Sequence, residues 1–215
     1  MDRVANLRHD VMNSLTVILG YSKILMGRRD IPADCLKHID RIQQEAFRCQ
    51  KAFDDDKVEF ETTAVHPDPS SRPAVGVAPA SVKVMVVDDD NGIRNLATEV
   101  IRTDLVDAGI HEAVTVLAAD SISSALAYAA AGRLDAVVID MNVDRPGGGL
   151  ALADRLADID PGIFDRLVFI SGGISDPKTA KAVEQRRLRV LFKPFSNDQL
   201  CRAVGTAIRG QTGSV

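Results

Sequence analysis

The sequence predicts an α/β protein: a doubly wound, five-stranded parallel sheet over residues 82–210, preceded by an all-α helical hairpin over residues 1–60. Three observations predict it. From Val82 onward, short apolar runs alternate with stretches of helical periodicity, as in strand–helix–strand units. In the first 58 residues, apolar side chains recur at steps of three and four on either side of a break at Asp30-Ile31-Pro32. Between these zones, residues 61–81 hold Pro67, Pro69, Pro73 and Pro79 among Ser, Ala, Val and Gly, the composition of a flexible, extended linker.

In the first helix, Val4, Leu7, Val11, Leu15, Ile18, Ser22 and Leu25 fall on one face at about 100° per residue. Leu36, Ile39, Ile42, Ala46, Cys49 and Phe53 do the same in the second helix. Pro32 sits near that helix's start, where a missing N–H costs little. Two helices cannot cover each other's stripes, so a second copy is expected to close a four-helix bundle and make the protein a homodimer. Val17, Leu19 and Ile24 widen the apolar face, which favours a bundle over a two-stranded coil. In the second zone, strands are expected near 82–87, 114–118, 135–139, 166–170 and 188–192. Helices are expected near 91–107, 121–131, 149–158, 176–186 and 196–209, on both faces of the sheet. The stretch 105–113 reads as a loose connection.

The totals exclude several classes. A chain of 215 residues with 46% hydrophobic and 26% charged residues is an ordinary globular composition. A net charge of −4 argues against a nucleic-acid-binding face, and with no Trp and two Tyr there are few stacking platforms. No apolar stretch reaches the roughly 18 residues that span a bilayer, and no signal peptide is evident, so no membrane partner is expected. The three cysteines, Cys35, Cys49 and Cys201, are scattered without metal-ligand spacing, which points to a reduced, cytoplasmic compartment.

The chemistry gathers where the strands end. Val84-Met85-Val86-Val87 runs into Asp88-Asp89, Ala136-Val137-Val138-Ile139 into Asp140, Leu167-Val168-Phe169-Ile170 into Ser171, and Leu188 to Phe192 into Lys193-Pro194. The carboxyl edge of a parallel sheet is where ligands bind. Three carboxylates there repel by roughly 4 kcal/mol per pair at about 4 Å and an effective dielectric near 20. A bound Mg²⁺ relieves this, with Asp88, Asp89, Asp140 and the Asn142 carbonyl as oxygen ligands. Asp140 is then the candidate nucleophile toward phosphorus, Lys193 a counter-charge and Ser171 a hydrogen-bond donor to the phosphoryl oxygens. Each short motif alone has a plainer reading: Asp88-Asp89-Asp90 as a helix cap, Ser171-Gly172-Gly173 as a loop, Lys193-Pro194 as a turn.

Over 82–210 the pattern resembles the receiver domain of bacterial response regulators, a flavodoxin-like fold. The residues that carry it are Val86-Val87-Asp88-Asp89-Asp90, Ile93-Arg94, Ile139-Asp140-Met141-Asn142, Ile170-Ser171-Gly172 and Phe192-Lys193-Pro194-Phe195. The resemblance implies that Asp140 is the phosphoacceptor, that Asp88 and Asp89 hold Mg²⁺, that Ser171 is the switch hydroxyl and that Lys193 is the family's lysine. Two departures stand out. Val143-Asp144-Arg145-Pro146-Gly147-Gly148-Gly149 is longer and richer in glycine than the family's active-site loop, so it is expected to be unusually mobile. Val190 stands where the family has a switch aromatic, three residues before the lysine.

His9 lies about 180° from the centre of the first helix's apolar stripe, so it is expected to face water, with Asn13 one turn on. A neutral imidazole there is a good phosphorus nucleophile. Asp10 could hold one ring proton, and Asn13 could orient a hydrolytic water. The run from His9 to Ser22, with its His-Asp-x-x-Asn-x-Leu core, and the run from Ile39 to Cys49 resemble the dimerisation and histidine-phosphotransfer hairpin of sensor histidine kinases, over residues 2–58. Ser14 replaces the family's proline after the asparagine. No ATP-binding domain lies between hairpin and linker, and Gly147-Gly148-Gly149 is not a phosphate loop, so no autonomous ATP-dependent kinase activity is expected.

The sequence therefore reads as a cytoplasmic phosphorelay protein. Its receiver accepts phosphoryl on Asp140 from a partner histidine kinase or phosphotransfer protein. His9 exchanges phosphoryl with an aspartate or, with Asn13, assists dephosphorylation. A linker of about 20 residues, with a root-mean-square reach of roughly 25 Å, permits exchange within one chain. In the alternative, the hairpin only dimerises or docks a kinase and the receiver is a binding switch. A Mg²⁺-dependent phosphatase lacks its second aspartate, because Asn142 stands two residues after Asp140. With no DNA-binding output domain read after the receiver, direct transcriptional action is not expected.

Overall fold

The computed structural model describes residues 3–54, 82–107, 113–174 and 176–209. The linker expected over 61–81, most of the loose connection before the second strand, and the side chains of Val4 and Phe53 lie outside the described residues.

The strands are β1 (Val82–Val87), β2 (Val114–Ala119), β3 (Ala136–Asp140), β4 (Leu167–Ser171) and β5 (Val190–Phe192). All pairings are parallel, in the order β2-β1-β3-β4-β5. The three central strands are buried along almost their whole length, because helices cover both faces. Helices α3 (Asn91–Asp107) and α7 (Asn197–Arg209) cover one face, packing Leu96, Val100, Leu200 and Val204 on Val84, Val86 and Val138. Helices α4 (Ile122–Ala130) and α5 (Gly148–Ile159) cover the other, where Leu152 and Leu156 meet Met85, Ile139 and Phe169. Helix α6 (Pro177–Gln185) buries no residue.

Every predicted element of this zone is present, with ends shifted by a residue or two. The exception is β5, shorter than expected. Arg187 adopts φ +50° and the Leu188 N–H returns to the Val183 carbonyl, so the first two predicted strand residues still belong to the turn that closes α6.

Helices α1 (Arg3–Gly27) and α2 (Ala33–Asp54) form the expected hairpin, broken at the predicted place. The stripe on α1 is a correction. Leu7 and Ile18 are 62% and 40% exposed, while Met12, Asn13, Thr16, Leu19 and Gly20 are buried. The reason is that α1 has two neighbours. Met12, Leu15 and Leu19 pack with Ala46 of α2. Tyr21 and Ile24 pack against the sheet-and-helix core of the second zone. Of the residues that widen the predicted face, Val17 and Ile24 serve the second contact and Leu19 the first; of the predicted stripe, Leu15 and Ser22 are buried, while Leu7 and Ile18 stay free. On α2 only Ala46 of the predicted stripe is buried, and Ile42 is 54% exposed.

The glycine-rich run has a steric reason for its glycines. A Cβ on Gly148 would lie 2.0 Å from the Val143 carbonyl oxygen, and one on Gly149 would lie 2.4 Å from that of Asp140. Both residues start α5 in the buried floor of the site, and only Gly147 needs its left-handed φ of +71°. Gly149→Ala should therefore lower the denaturant midpoint by the equivalent of at least about 2 kcal/mol, while Gly27→Ala, in open space, should not lower it.

Candidate functional site

Strand register brings the site together. Val87 pairs with Ile139, so Asp88 and Asp140 leave neighbouring strands side by side. Ser171 pairs with Phe192, so Lys193 emerges next to Ser171. The Lys193–Pro194 peptide is cis, and Phe195 anchors the following turn in the core.

The Lys193 ammonium lies between the two carboxylates. It donates to Asp140 Oδ1 at 2.8 Å and to Asp88 Oδ2 at 3.3 Å. All three side chains are buried, with Asp140 only 2% exposed. The other oxygens are held by backbone: Asn142 N–H donates to Asp140 Oδ2 at 2.7 Å, and Asp90 N–H to Asp88 Oδ1 at 2.8 Å. Burial pushes the Asp88 carboxyl up to about 7; Lys193 opposes this and the nearby Asp140 charge adds to it. Burial alone would lower Lys193, but the two carboxylates carry it above its ordinary value.

Asp89 departs from expectation. It lies on the exposed rim, and among the described residues no three acidic, histidine or cysteine side chains converge as metal ligands. The reason is local: Asp88 ends the strand facing inward, and the next side chain turns out as the chain enters α3. Ser171 also differs. Its Oγ donates to the Gly173 carbonyl at 2.9 Å and accepts from the Gly173 N–H at 3.1 Å, so the hydroxyl is held by its own loop. The Asn142 side chain is likewise structural, accepting from Gly147 N–H at 3.2 Å.

The donor set nonetheless fits Mg²⁺ chemically. It is all oxygen, and two buried carboxylates with one ammonium leave a net negative charge beside the exposed Asp89.

Asp90 is the residue that sequence reasoning passed over. Its Oδ1 accepts from Gly92 N–H at 2.8 Å and Ile93 N–H at 3.1 Å, capping α3 as the plainer reading of the acidic run allows. Its Oδ2 accepts from Asn13 Nδ2 at 3.0 Å, across 77 positions of sequence. Burial works against the Asp90 charge, but the Ile93, Asn13 and Gly92 donors hold its carboxyl below its ordinary value. The cap was legible in the sequence; no local pattern announces the partner from α1.

Asn13 is thus 4% exposed and engaged, not turned to water as expected. His9 is also corrected: its side chain is only 32% exposed, and Nε2 is buried without a hydrogen-bond partner. A Cβ on Gly172 would lie 3.6 Å from His9 Cδ2, which places the imidazole over the loop that follows Ser171. Asp10 is exposed, its Oδ1 3.6 Å from His9 Nδ1, beyond hydrogen-bond range.

Because Asp88 releases its proton less readily folded than unfolded, where the ordinary value is 3.8, the folded protein binds more protons between about pH 4 and about pH 7. Without divalent cation, stability should therefore rise as pH falls from about 8 to about 5, and Asp88→Asn should flatten the slope. Denaturant melts across that range read both.

Residues 84–205 match the family model of the response regulator receiver domain. No curated protein sequence matches the chain. Among solved structures, a response regulator receiver domain protein from Clostridium thermocellum is 21% identical, with a TM-score of 0.50 over 61% of this chain and 97% of its own. The signal receiver domain of an HD domain-containing protein from Pseudomonas fluorescens Pf-5 is 19% identical, with a TM-score of 0.51 over 64% of this chain and 94% of its own. These two likenesses bear on the fold, while the family model spans more than half of the chain and contains Asp88, Asp140, Ser171 and Lys193. The chain accordingly belongs to the response regulator receiver domain family, which places it in two-component signalling, where receivers work with histidine kinases or phosphotransfer proteins.

Proposed function

We propose that the protein is a cytoplasmic phosphorelay component in which Asp140 accepts the phosphoryl group and His9 exchanges it or assists its removal. The observation that carries this reading is the position of His9: a partnerless, buried Nε2 on a helix seated at the same sheet edge as Asp140. An Asp140 carboxylate oxygen attacks phosphorus while the bond to the donor's leaving oxygen or nitrogen breaks. Lys193 stabilises the charge on the incoming group, and Ser171 donates to it after leaving Gly173. Asp88, Asp89, Asp140 and the Asn142 carbonyl would hold Mg²⁺, which when bound neutralises the phosphoryl oxygens. In the reverse exchange, the O–P bond at Asp140 breaks and an N–P bond forms at His9 Nε2. With Asp10 beside Nδ1, Nε2 is the ring nitrogen left to bond phosphorus.

A second reading has its own observation. The Asn13 amide nitrogen is spent on Asp90 Oδ2 across the hairpin–receiver contact, which favours a hairpin that docks without doing chemistry. Acetyl phosphate with Mg²⁺ separates the two. Asp140→Asn should abolish an acid-stable, base-labile adduct. His9→Ala should keep the adduct but change its lifetime by about tenfold or more, as loss of an acid–base or nucleophilic group does. An unchanged lifetime, with no nitrogen-linked phosphate in the parent, would leave the docking module standing.

The homodimer belongs to the same proposal. Leu7, Ile18 and Ile42 are exposed, and a groove of about 500 Å³ between α1 and α2 is lined by Leu15, Ile18, Ile42 and Ala46. A second hairpin seated there would close a four-helix bundle. Ile42→Asp should convert a dimer to a monomer in sedimentation equilibrium and leave labelling of Asp140 by acetyl phosphate unchanged.

A further inference from the structure

Helix α1 presents a second, separate recognition face. Counted from His9 at about 100° per residue, Asn13, Thr16, Gly20 and Lys23 lie within about 40° of it, and Ile18 lies opposite. This face is fitted to the α3–α7 side of the receiver in three ways. Gly20 is a notch for Leu96: a Cβ there would lie 2.4 Å from Leu96 Cδ2. Gly92, at the start of α3, gives room for Val17, whose Cγ2 would lie 3.1 Å from an added Cβ. Polar contacts set the register at three levels: Asn13 to Asp90, Asn197 Nδ2 to the Gly20 carbonyl at 3.5 Å, and Lys23 to Asp198. Buried side chains with specific partners make this a built interface.

We propose that the hairpin is the resident occupant of the receiver and excludes any other histidine-bearing helix from Asp140. His9 lies over the loop after Ser171, at the sheet edge that carries Asp140, and the carboxylate is almost wholly buried, so a second such helix must take the place that α1 holds. Hairpin and receiver are one chain, which gives the resident helix an effective concentration on the order of millimolar. A competitor of equal affinity at micromolar concentration is then disfavoured on the order of 10³-fold. Phosphoryl traffic with a second protein therefore requires the Gly20–Leu96, Asn13–Asp90 and Lys23–Asp198 contacts to open first. The exclusion rests on the reading of Asp140 as acceptor only for its consequence, and not for its existence.

The test is a disulfide across the Val17–Gly92 contact in full-length chains with Cys35→Ser and Cys49→Ser; Cys201 is buried, its thiol pushed up to about 12 by burial. The donor chain carries Val17→Cys with Gly92→Leu and Asp198→Lys, so its receiver cannot seat its own helix. The recipient carries Gly92→Cys with Val17→Ala, which makes room for the added thiol, and an otherwise native hairpin, or adds Gly20→Leu, or adds Asp198→Lys as a surface alternative that leaves packing intact. Under mild oxidant the interchain disulfide should form on the order of 10³-fold more slowly with the native hairpin than with Gly20→Leu, and at an intermediate rate with Asp198→Lys. A recipient with His9→Ala should behave as native, so failure of relay and failure of docking read separately. Equal rates in all recipients, or no interchain disulfide in any, would overturn the proposal.

Discussion

One buried ammonium organises this molecule. Lys193 sits between Asp88 and Asp140, and all three are out of water. Two carboxylates side by side in a dry site would not both stay ionised without a cation, and one ammonium compensates only one of them. The cluster is therefore left acidic, with Asp88 carrying the upward shift. That unfinished neutralisation leaves a negative field at the carboxyl edge of the sheet. Parallel pairing is what permits it, since only there do the ends of β1, β3 and β4 and the turn after β5 arrive at one edge.

The hairpin is connected to that cluster through Asp90. Its N–H holds Asp88, one carboxylate oxygen caps α3, and the other receives Asn13. The register of α1 on the receiver and the position of an acid next to Asp140 thus share one residue. A change at either end meets the same short hydrogen-bond chain, the kind of contiguous link through which two sites bias each other.

Three faces on one helix explain why α1 is hard to read. One packs on α2, one on the receiver, and the third carries Leu7 and Ile18 into solvent. A helix used on every side shows little amphipathic contrast, so its apolar stripe cannot name the partner that covers it. Of the most periodic stripe, a single chain buries Leu15 and Ser22 and leaves Leu7 and Ile18 exposed.

The receiver was legible because its signals are local. Apolar runs bounded by turn residues mark buried strands, and a side chain at a strand's end needs only the fold class to find its neighbours, so Asp88, Asp140 and Lys193 come together, with Ser171 ending the adjacent strand. Tertiary packing decided the rest. Asp89 turned out to the rim, Ser171 turned to Gly173, and Gly148 and Gly149 proved to be steric necessities, because each outcome depends on a backbone a few ångströms away that no periodicity encodes. Asn13 left the water, and His9 Nε2 was buried, for the same reason. Their surroundings are supplied by Gly172 and Asp90, far along the chain, and only the close approach allowed by Gly20 and Gly92 brings those surfaces together.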